Sequence, residues 1–329
     1  MLLLGRQQSM STNSGFNNKT TAEEVAESFK DIIRGRHFIV TGANTGLGKE
    51  TVRVLAKFGG IITMTTRDME KGQRARNDIL QEAPNASLTV MQLDLSSLAS
   101  VKSFAMEYIK LNKPLNVLIC NAGVMACPRS ETKDGLENQF GTNHVGHYYL
   151  CKLLEPVIEK CSSSKERGRI VILSSIAGVA FAPKEGILFH DLDGLESYNY
   201  WQRYGQSKLA NLLHAFDSQK KVKNLDYVSV HPGIIKETEL MRHKSFKGVM
   251  HMLSGIRWKF ITTMMSESKD IPQGSATTIV CALDPKIEGG RYYEDCQVSN
   301  RVHEKAFDNE LAARLATVTE QILKEKGFD

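Results

Sequence analysis

The chain has 329 residues, of which 41% are hydrophobic and 24% are charged, with a formal net charge of +5 at pH 7. A chain of this length and composition can bury a large core, and its modest, dispersed charge excludes nucleic acid as an expected partner. The six cysteines form no Cys-x-x-Cys pair and no ligand cluster, so no metal site is expected. No apolar run reaches the length of a membrane span or a signal-peptide core, so we expect a cytoplasmic protein with no membrane span.

Residues 1–34 are expected to form an N-terminal tail and a lead-in helix ahead of the main domain. The tail is rich in Gln, Ser, Thr and Asn and has little apolar surface to bury, so we expect it to be disordered. Residues 21–34 have the pattern of a short amphipathic helix. Thr21 and Glu24 are spaced as in a capping box, which indicates where that helix begins.

From residue 36 onward, apolar strand-like runs alternate with helical runs. This alternation predicts a parallel sheet with right-handed crossovers and helices on both faces. The strand runs are continuously apolar, as in a sheet that is covered on both faces. We therefore predict one doubly wound α/β domain over residues 35–329, with about seven strands. The predicted elements are strands at His37–Val40, Ile61–Thr66, Ser87–Leu93, Asn116–Cys120, Arg169–Leu173 and Tyr227–Val230, with helices at Leu47–Phe58, 69–82, Ser97–Leu111 and Asp134–Lys160 and another around Tyr204.

Two segments interrupt the alternation. Residues 176–203 show no regular element, and residues 234–270 combine methionines with basic residues. Long insertions near the carboxyl ends of strands often form lids over active sites. The segment 234–270 is therefore predicted to be a lid over an apolar substrate, with peripheral membrane contact as a further option, or an ordinary amphipathic helix with its methionines in the core. We expect both segments to lie near the substrate pocket.

A glycine-rich turn joins the first strand of the alternation to its first helix. Thr41–Lys49 reads T-G-x-x-x-G-x-G followed by Lys. Glycines allow a tight turn and a close approach of the backbone to a ligand, and the N-terminus of the following helix favours phosphate. The turn therefore predicts a dinucleotide-binding loop. The residues in it that we assign to the cofactor are Gly42, Asn44, Thr45, Gly46, Leu47 and Gly48.

The end of the second strand indicates which dinucleotide is bound. Arg67 follows the strand, and Asp68 comes directly after it. An arginine at this place can bind a 2′-phosphate with two hydrogen bonds, whereas an acidic residue would bond the ribose hydroxyls of NAD. We predict a preference for NADP(H), with NAD(H) as the alternative if Asp68 turns toward the ribose.

Tyr204 and Lys208 form the candidate acid–base pair. They are four residues apart in a helical pattern, so they lie on the same face of the helix. The positive charge of a nearby lysine favours the phenolate and lowers the pKa of a tyrosine. The pair therefore indicates general acid or base chemistry, although the same spacing also occurs on solvated helix faces.

The glycine loop, the alternating sheet and Tyr-x-x-x-Lys, in this order, resemble the short-chain dehydrogenase/reductase family over about residues 35–326. The resemblance implies a Rossmann-type fold and hydride transfer between a nicotinamide and a carbonyl or alcohol carbon. It implies that Tyr204 exchanges a proton with the substrate oxygen, and that Lys208 lowers the pKa of Tyr204 and binds the ribose. It also implies that Ser175 hydrogen-bonds the substrate oxygen and that Asn143 holds a water linking Lys208 to solvent.

The same resemblance assigns further cofactor contacts. Asp94, followed by Leu95, matches the position that contacts adenine. Pro232 and Gly233, together with Thr238, match the loop that meets the nicotinamide amide. The motif that ends the fourth strand beside the cofactor is Asn121, Ala122 and Gly123.

Within the family, the chain is similar to the retinol-dehydrogenase-like branch and to the oxidoreductase part of the WW-domain-containing oxidoreductase, without WW domains. The methionine-rich segment 234–270 suggests an apolar substrate, such as a retinoid, a steroid or a fatty or aromatic carbonyl. The resemblance to the family implies a homodimer through the helices that carry Asn143 and Tyr204. Ser175 and Tyr204 are 29 residues apart, and the intervening loop can still bring them together at a modest entropic cost. The segments that carry the similarity are 41–48, 134–137, 143–147, 207–211, 273–278 and 290–293.

Other functions stay open at this point. A scaffold or regulatory protein could retain the nucleotide-binding fold without strong catalysis, and an epimerase or dehydratase could share the fold. The short region after Gly233 argues against the epimerase alternative. His144 and His147 are three residues apart and could ligate a metal, but no third ligand is evident, so packing roles are favoured.

Overall fold

The computed structural model describes residues 15–235 and 268–328. The strands in these residues follow the apolar runs of the sequence and are short, as is usual for a doubly wound sheet. In chain order they are β1 (His37–Val40), β2 (Ile61–Thr66), β3 (Ser87–Gln92), β4 (Val117–Cys120), β5 (Gly168–Leu173), β6 (Leu225–His231), β7 (Ile234–Ile235), β8 (Ser268–Lys269), β9 (Tyr292–Glu294) and β10 (Gln297–Val298).

Eight of the strands within the described residues form one sheet, in the order β3-β2-β1-β4-β5-β6-β9-β10. All neighbouring pairs are parallel except β9 and β10, which form an antiparallel edge. The order reverses between β1 and β4, which is the place where doubly wound folds bind their ligands. The predicted sheet of about seven strands is confirmed, and the short edge strand β10 is the addition.

The helices lie on both faces of this sheet. They begin and end close to the predicted bounds wherever the apolar periodicity is long. In chain order they are α1 (Ala22–Ser28), α2 (Lys30–Ile33), α3 (Gly46–Lys57), α4 (Met69–Glu82), α5 (Leu98–Lys110), α6 (Asn138–Phe140), α7 (Gly146–Lys160), α8 (Ala177–Ala180), α9 (Tyr200–Gln219), α10 (Ile271–Leu283) and α11 (Asn309–Glu325).

Alternate residues of the strands point into two separate hydrophobic cores. Ile39 and Ile170 lie in the core that α5, α7, α9 and α11 cover. Val40 and Val171, their neighbours in sequence, lie in the core that α1, α3, α4 and α10 cover. Both faces of each central strand are therefore buried, which explains why these strands read as continuous apolar runs. None of the described helices is long and apolar enough to cross a membrane.

The lead-in helix has the predicted capping box. The backbone N–H of Glu24 donates to Oγ1 of Thr21 at 3.3 Å, and the N–H of Thr21 donates to the Glu24 carboxylate at 2.7 Å. The predicted single helix is divided into α1 and α2 at Phe29. Val25 is fully buried and packs in the core beneath α10, which joins this segment to the domain.

The insert at 176–203 is more ordered than expected. It contains α8, a turn of 3₁₀ helix at Phe189–Asp191 and the first residues of α9, so the prediction that it has no regular element is wrong. Elements of three or four residues are too short for a periodic pattern to reveal. The buried Arg203 donates to the carboxylate of Asp191 and to the carbonyl oxygen of Ser197, which anchors the insert on α9.

The long helix expected from Asp134 begins at Asn138. Gly135 adopts a φ of 72°, which breaks a helix, and the Glu137 carboxylate accepts hydrogen bonds from the first helical N–H groups. A π-helical segment at Gly141–Val145 then precedes α7. A π turn contains one more residue than an α turn, and such turns occur often at functional sites.

Most of the predicted lid, together with Thr238, lies outside the described residues. Its two ends are described, because Ile234–Ile235 pairs in parallel with Ser268–Lys269. This pairing brings the two ends of the segment together beside the sheet.

The C-terminal helix α11 packs against α9 and α7. Thr319 is hydrogen-bonded to His144 at 3.0 Å, and the Glu320 carboxylate accepts from Tyr148 and Lys152. Every residue of α9 from Arg203 to Ala215 is buried. The central part of the helix that carries Tyr204 is thus buried by its own chain, apart from the side that borders the cleft.

Candidate active site

A cleft of about 420 Å³ lies at the carboxyl ends of β1, β2, β4 and β5. This is the edge of the sheet where doubly wound folds bind dinucleotides. Most of the residues that the sequence assigns to the cofactor line it. Those residues are Gly42, Asn44, Thr45, Gly46, Leu47, Gly48, Arg67, Leu95, Asn121, Ala122, Gly123, Tyr204, Lys208 and Pro232.

The glycine loop is folded tightly against the end of β4. A Cβ atom added to Gly48 would lie 2.4 Å from the carbonyl oxygen of Gly42, and one added to Gly42 would lie 2.9 Å from Cβ of Ala122. Asn121 Nδ2 donates to the carbonyl oxygen of Thr41 at 2.7 Å and holds the loop in place. Thr45, which precedes α3, makes no side-chain capping bond, so the first N–H groups of α3 are available to a phosphate.

The end of β2 provides two cations to the cleft. Arg67 is exposed and lines the cleft together with Lys71, which the sequence did not single out. The Asp68 carboxylate accepts from the backbone N–H of Lys71 at 3.1 Å and caps α4. Asp68 also lines the cleft, and its carboxylate lies 3.9 Å from Nζ of Lys71. Two cations and one carboxylate therefore leave a net positive charge at this place. The sequence did contain a signal for Lys71, because residues four apart across the start of a helix lie on the same side of it, as Arg67 and Lys71 do.

Tyr204 and Ser175 meet at the inner end of the cleft. Tyr204 is 6% exposed, and burial raises its pKa to about 12, although a hydrogen bond with the Ser175 hydroxyl lowers it in part. The Ser175 oxygen also accepts from the N–H of Ala177 at 3.2 Å, at the start of α8. The long insert between Ser175 and Tyr204 thus keeps the two side chains together.

Lys208 is buried beneath Tyr204. Its Nζ lies 5.8 Å from the centre of the Tyr204 ring and donates to the carbonyl oxygen of Leu173 at 3.0 Å. Burial lowers the pKa of Lys208 to about 8. The pKa of Tyr204 is raised overall, and burial of the phenol is the main cause. The role of Lys208 in lowering this pKa stays a prediction.

Asn143 lies in the π-helical segment and joins two parts of the site. Its Oδ1 accepts from the N–H of Val124 at 2.8 Å, and its Nδ2 donates to the carbonyl oxygen of Val124 and to Oγ of Ser207. The side-chain amide is thus used within the protein and does not line the cleft. The role of Asn143 in holding a water stays a prediction.

The remaining assigned residues lie at the border of the cleft. Burial alone would raise the pKa of Asp94, but hydrogen bonds from Ser96 and from Lys133 lower it overall. Asp94 does not itself line the cleft, whereas Leu95 does. Gly233 adopts a φ of 91° and packs against Lys269, while the neighbouring Pro232 lines the cleft.

His144 and His147 have separate hydrogen-bond partners. Nε2 of His144 is 3.0 Å from Oγ1 of Thr319, and Nε2 of His147 is 3.0 Å from Oγ1 of Thr41. Among the described residues, no group of three or more His, Cys, Asp and Glu side chains is placed to hold a metal ion. Burial lowers the pKa values of both histidines to about 3 and about 4 respectively.

Residues 36–186 match the profile of the short chain dehydrogenase family. The chain is 40% identical to short-chain dehydrogenase TIC 32 B, chloroplastic, of Brassica napus, with 96% of each chain covered. It is 39% identical to retinol dehydrogenase 11 of Homo sapiens, with 88% of this chain and 86% of the relative covered. The specific similarity to the WW-domain-containing oxidoreductase stays a prediction.

Solved structures show the same fold. The crystal structure of an uncharacterised protein from Mycobacterium paratuberculosis has a TM-score of 0.68 and 30% identity, and the alignment covers 89% of this chain and 94% of that one. RhlG of Pseudomonas aeruginosa, solved with NADP, has a TM-score of 0.58 at 18% identity over 79% of this chain and 94% of that one. The cleft, the glycine loop and these relatives agree, and the chain therefore belongs to the short-chain dehydrogenase/reductase family of NAD(P)-dependent oxidoreductases.

Proposed function

We propose that the protein is an NADP(H)-dependent reductase of apolar carbonyl compounds, which can also run in the direction of alcohol oxidation. The observation that carries this proposal is the buried Tyr204, which retains its proton at neutral pH and is hydrogen-bonded to Ser175. A protonated phenol is the form that can donate to a carbonyl oxygen as it becomes an alkoxide. The arrangement therefore supports proton donation by Tyr204 when a carbonyl is reduced at pH 7.

The residues around the cleft fit a nicotinamide dinucleotide. Gly46 lines the cleft, and a Cβ atom added to it would meet no atom within 4 Å, so a ligand can approach the backbone of the loop closely there. When bound, the dinucleotide supplies the hydride. The chain supplies the proton from the hydroxyl of Tyr204, the hydrogen bond of Ser175 to the substrate oxygen, and the charge of Lys208 near the ribose. Asn143 holds Val124 and Ser207 around this group and is proposed to hold the water that links Lys208 to solvent.

The proposed substrate class is a retinoid, a steroid or a fatty or aromatic carbonyl. Retinol dehydrogenases of human and mouse are 39% and 37% identical to this chain. Val124 and Met125 add apolar surface to the cleft. The ring of Trp201 lies 6.5 Å from that of Tyr204 and 5.3 Å from that of Phe181, which gives the insert an aromatic group beside the proton donor.

A carbonyl panel tests the proposal directly. We expect the purified chain to oxidise NADPH with at least one retinal, steroid ketone, fatty aldehyde or aromatic ketone. Tyr204→Phe should lower kcat by at least about a hundredfold and leave the Kd for NADPH within about threefold, since only the proton donor is removed. Turnover that persists in this variant would remove Tyr204 from its role. An absence of turnover across the panel, with NADPH binding retained, would favour the scaffold alternative.

The proposed preference for NADP(H) rests on the charges at the end of β2. Arg67, Asp68 and Lys71 all line the cleft, and one carboxylate oxygen of Asp68 is used in capping α4, so the net charge there is positive. Arg67→Ala should weaken NADPH binding about tenfold or more and leave NADH binding nearly unchanged, because only NADPH carries the 2′-phosphate. The affinities can be measured by fluorescence titration. A variant that kept the same ratio of the two affinities would overturn the preference.

The compartment and the partners are also proposals. We retain the cytoplasm as the proposed location, although two relatives from Brassica napus, 40% and 39% identical, are described as chloroplastic. Imaging of the full chain with a C-terminal fluorescent tag decides between the two compartments. The resemblance supports a homodimer through α7 and α9, but α11 packs over both helices, and we therefore propose that the chain is a monomer. Peripheral membrane contact of residues 234–270 is a further proposal, which the composition of that segment supports.

A further inference from the structure

A buried histidine lies between the dinucleotide loop and the proton-transfer residues. His147 is 1% exposed and belongs to the first turn of α7. Its Nδ1 is 3.0 Å from the carbonyl oxygen of Asn143, and its Nε2 is 3.0 Å from Oγ1 of Thr41. The reaction proposed above gives this residue no role.

The direction of each hydrogen bond at His147 follows from its neighbours. The carbonyl oxygen of Asn143 can only accept, so Nδ1 of His147 carries the proton. Burial lowers the pKa of His147 to about 4, and the ring is therefore neutral at pH 7, with Nε2 as an acceptor. The hydroxyl of Thr41 then donates to Nε2, and its oxygen accepts from the N–H of Ala122 at 2.9 Å. The bonds form one continuous series from Ala122 through Thr41 and His147 to Asn143.

The two ends of this series belong to different parts of the site. Thr41 opens the glycine loop, and Ala122 lines the cleft. At the other end, the side chain of Asn143 bonds Ser207, the residue next to Lys208. The hydrogen bonds that join Thr41, His147, Asn143 and Ser207 are buried, and the bond from Ala122 is partly buried. A missing hydrogen bond is costly in such a place, and a complete series of bonds is rigid.

We propose that His147 is a positioning residue that fixes the glycine loop against the Asn143 turn, so that a dinucleotide seated on the loop is held in register with Tyr204 and Lys208. The proposal rests on the oxidoreductase function proposed above. This role differs from packing alone, and the nearby His144 provides a comparison. His144 is equally buried, and its Nε2 is 3.0 Å from Oγ1 of Thr319 on α11, outside the cleft.

The test uses substitutions that remove one bond at a time. In His147→Asn, the amide can replace Nδ1 and bond the carbonyl of Asn143, whereas in His147→Gln it can replace Nε2 and reach Thr41. His147→Phe keeps the ring volume and removes both bonds. Thr319→Val is the matched control, because it removes a threonine hydroxyl from a buried histidine with little change of volume and leaves the site intact. Each purified full chain is assayed for the Kd of NADPH and for kcat and KM, with folding checked by circular dichroism.

We expect His147→Phe to lower kcat/KM about a hundredfold and to raise the Kd of NADPH several-fold, since small displacements of reacting groups are costly. His147→Asn and His147→Gln should each lose less than His147→Phe. Thr319→Val should stay within about twofold in all three constants, whatever its effect on stability. If folded His147→Phe kept its NADPH affinity and kcat within about twofold, or if Thr319→Val caused the same losses, a packing role would be established and the proposal overturned.

A second measurement does not depend on turnover or on any variant folding. Nitrogen-15 NMR of the histidine rings in the unaltered chain should show His147 neutral across pH 6–8, with the proton on Nδ1, the less common tautomer. A proton on Nε2 would break the series of hydrogen bonds and overturn the proposal. If no carbonyl of the panel is reduced, the proposed reaction is overturned. The Kd of NADPH for the His147 variants and the tautomer of His147 would still test the positioning role.

Discussion

Lys208 is a cation in an almost fully buried place, and this predicts a pH dependence of stability. Burial lowers its pKa from 10.5 to about 8. Between these two pH values the unfolded chain binds a proton at Lys208 that the folded chain has released, so the free energy of unfolding rises with pH across the window. Keeping the charged form buried below this window costs roughly 3 kcal/mol. The raised pKa of Tyr204 acts in the opposite direction, but only above pH 10.

The contribution of Lys208 to the pH dependence of stability can be isolated by urea unfolding of the unaltered chain and of Lys208→Met between about pH 7 and pH 10. The free energy of unfolding of the unaltered chain, relative to that of the variant, should increase by roughly 2–3 kcal/mol over this range. Other groups titrate in the same range, but they are common to both proteins and cancel in the difference. Parallel curves for the two proteins would show that Lys208 titrates normally when folded.

At the scale of single elements, the crossing of α8 and α9 decides where Ser175 lies. A Cβ atom added to Gly205 on α9 would lie 2.6 Å from the backbone N of Ala182 and 2.7 Å from the carbonyl oxygen of Ala177. One added to Gly178 on α8 would lie 3.1 Å from the backbone N of Leu209. The two helices are thus in backbone contact. Because Ser175 directly precedes α8, this contact holds its hydroxyl beside Tyr204.

Gly205→Ala should therefore reduce both stability and catalysis. Backbone atoms cannot rotate away as a side chain can, so the extra methyl group should push α8 outward, at a cost of about 1–3 kcal/mol. We expect kcat to fall about tenfold or more as Ser175 moves away from Tyr204, with the Kd of NADPH nearly unchanged. Gly178→Ala, which meets α9 at a longer distance, should do less damage to kcat. The reverse ranking of the two variants would show that this crossing does not position Ser175.

The elements predicted from the sequence are those in which an apolar run or a periodic pattern extends over many consecutive residues. The strand Ile61–Thr66 has its predicted bounds, because a run of β-branched and apolar residues that follows Gly59 and Gly60 indicates a buried strand. The π-helical segment at Gly141–Val145 was not predicted, since its one extra residue shifts the apolar pattern by a single position, which a short pattern does not reveal. The pairing of Ser175 with Tyr204 depends on how α8 packs, and the high pKa of Tyr204 depends on burial. Both are properties of the tertiary structure. The spacing in the sequence could therefore identify Ser175 and Tyr204 as site residues, but not their contact or the high pKa of Tyr204.

At the scale of the whole molecule, α11 covers the helices through which a homodimer was expected. Leu315 of α11 is 1% exposed and lies in the core that contains α7 and α9. Every residue of α9 from Arg203 to Ala215 is buried within one chain. A second copy could reach α9 only if α11 left its place, and that would expose apolar surface whose burial contributes about 25 cal/mol per Å². This packing favours a monomer, or a dimer through another surface.

Light scattering after size-exclusion chromatography tests whether the chain is a monomer. The unaltered chain should elute with the mass of a single chain, because α11 covers the apolar face that α9 would offer to a partner. Leu315→Asp places a charge in the core beneath α11, which should cost about 3 kcal/mol or more and release the helix. The exposed apolar surface of α9 should then cause association that increases with protein concentration. Ala313→Asp, at an exposed position on the same helix, is the control and should behave as the unaltered chain does. A dimeric mass for the unaltered chain that disappears in Leu315→Asp would show the opposite arrangement, in which α11 itself forms the contact between two copies.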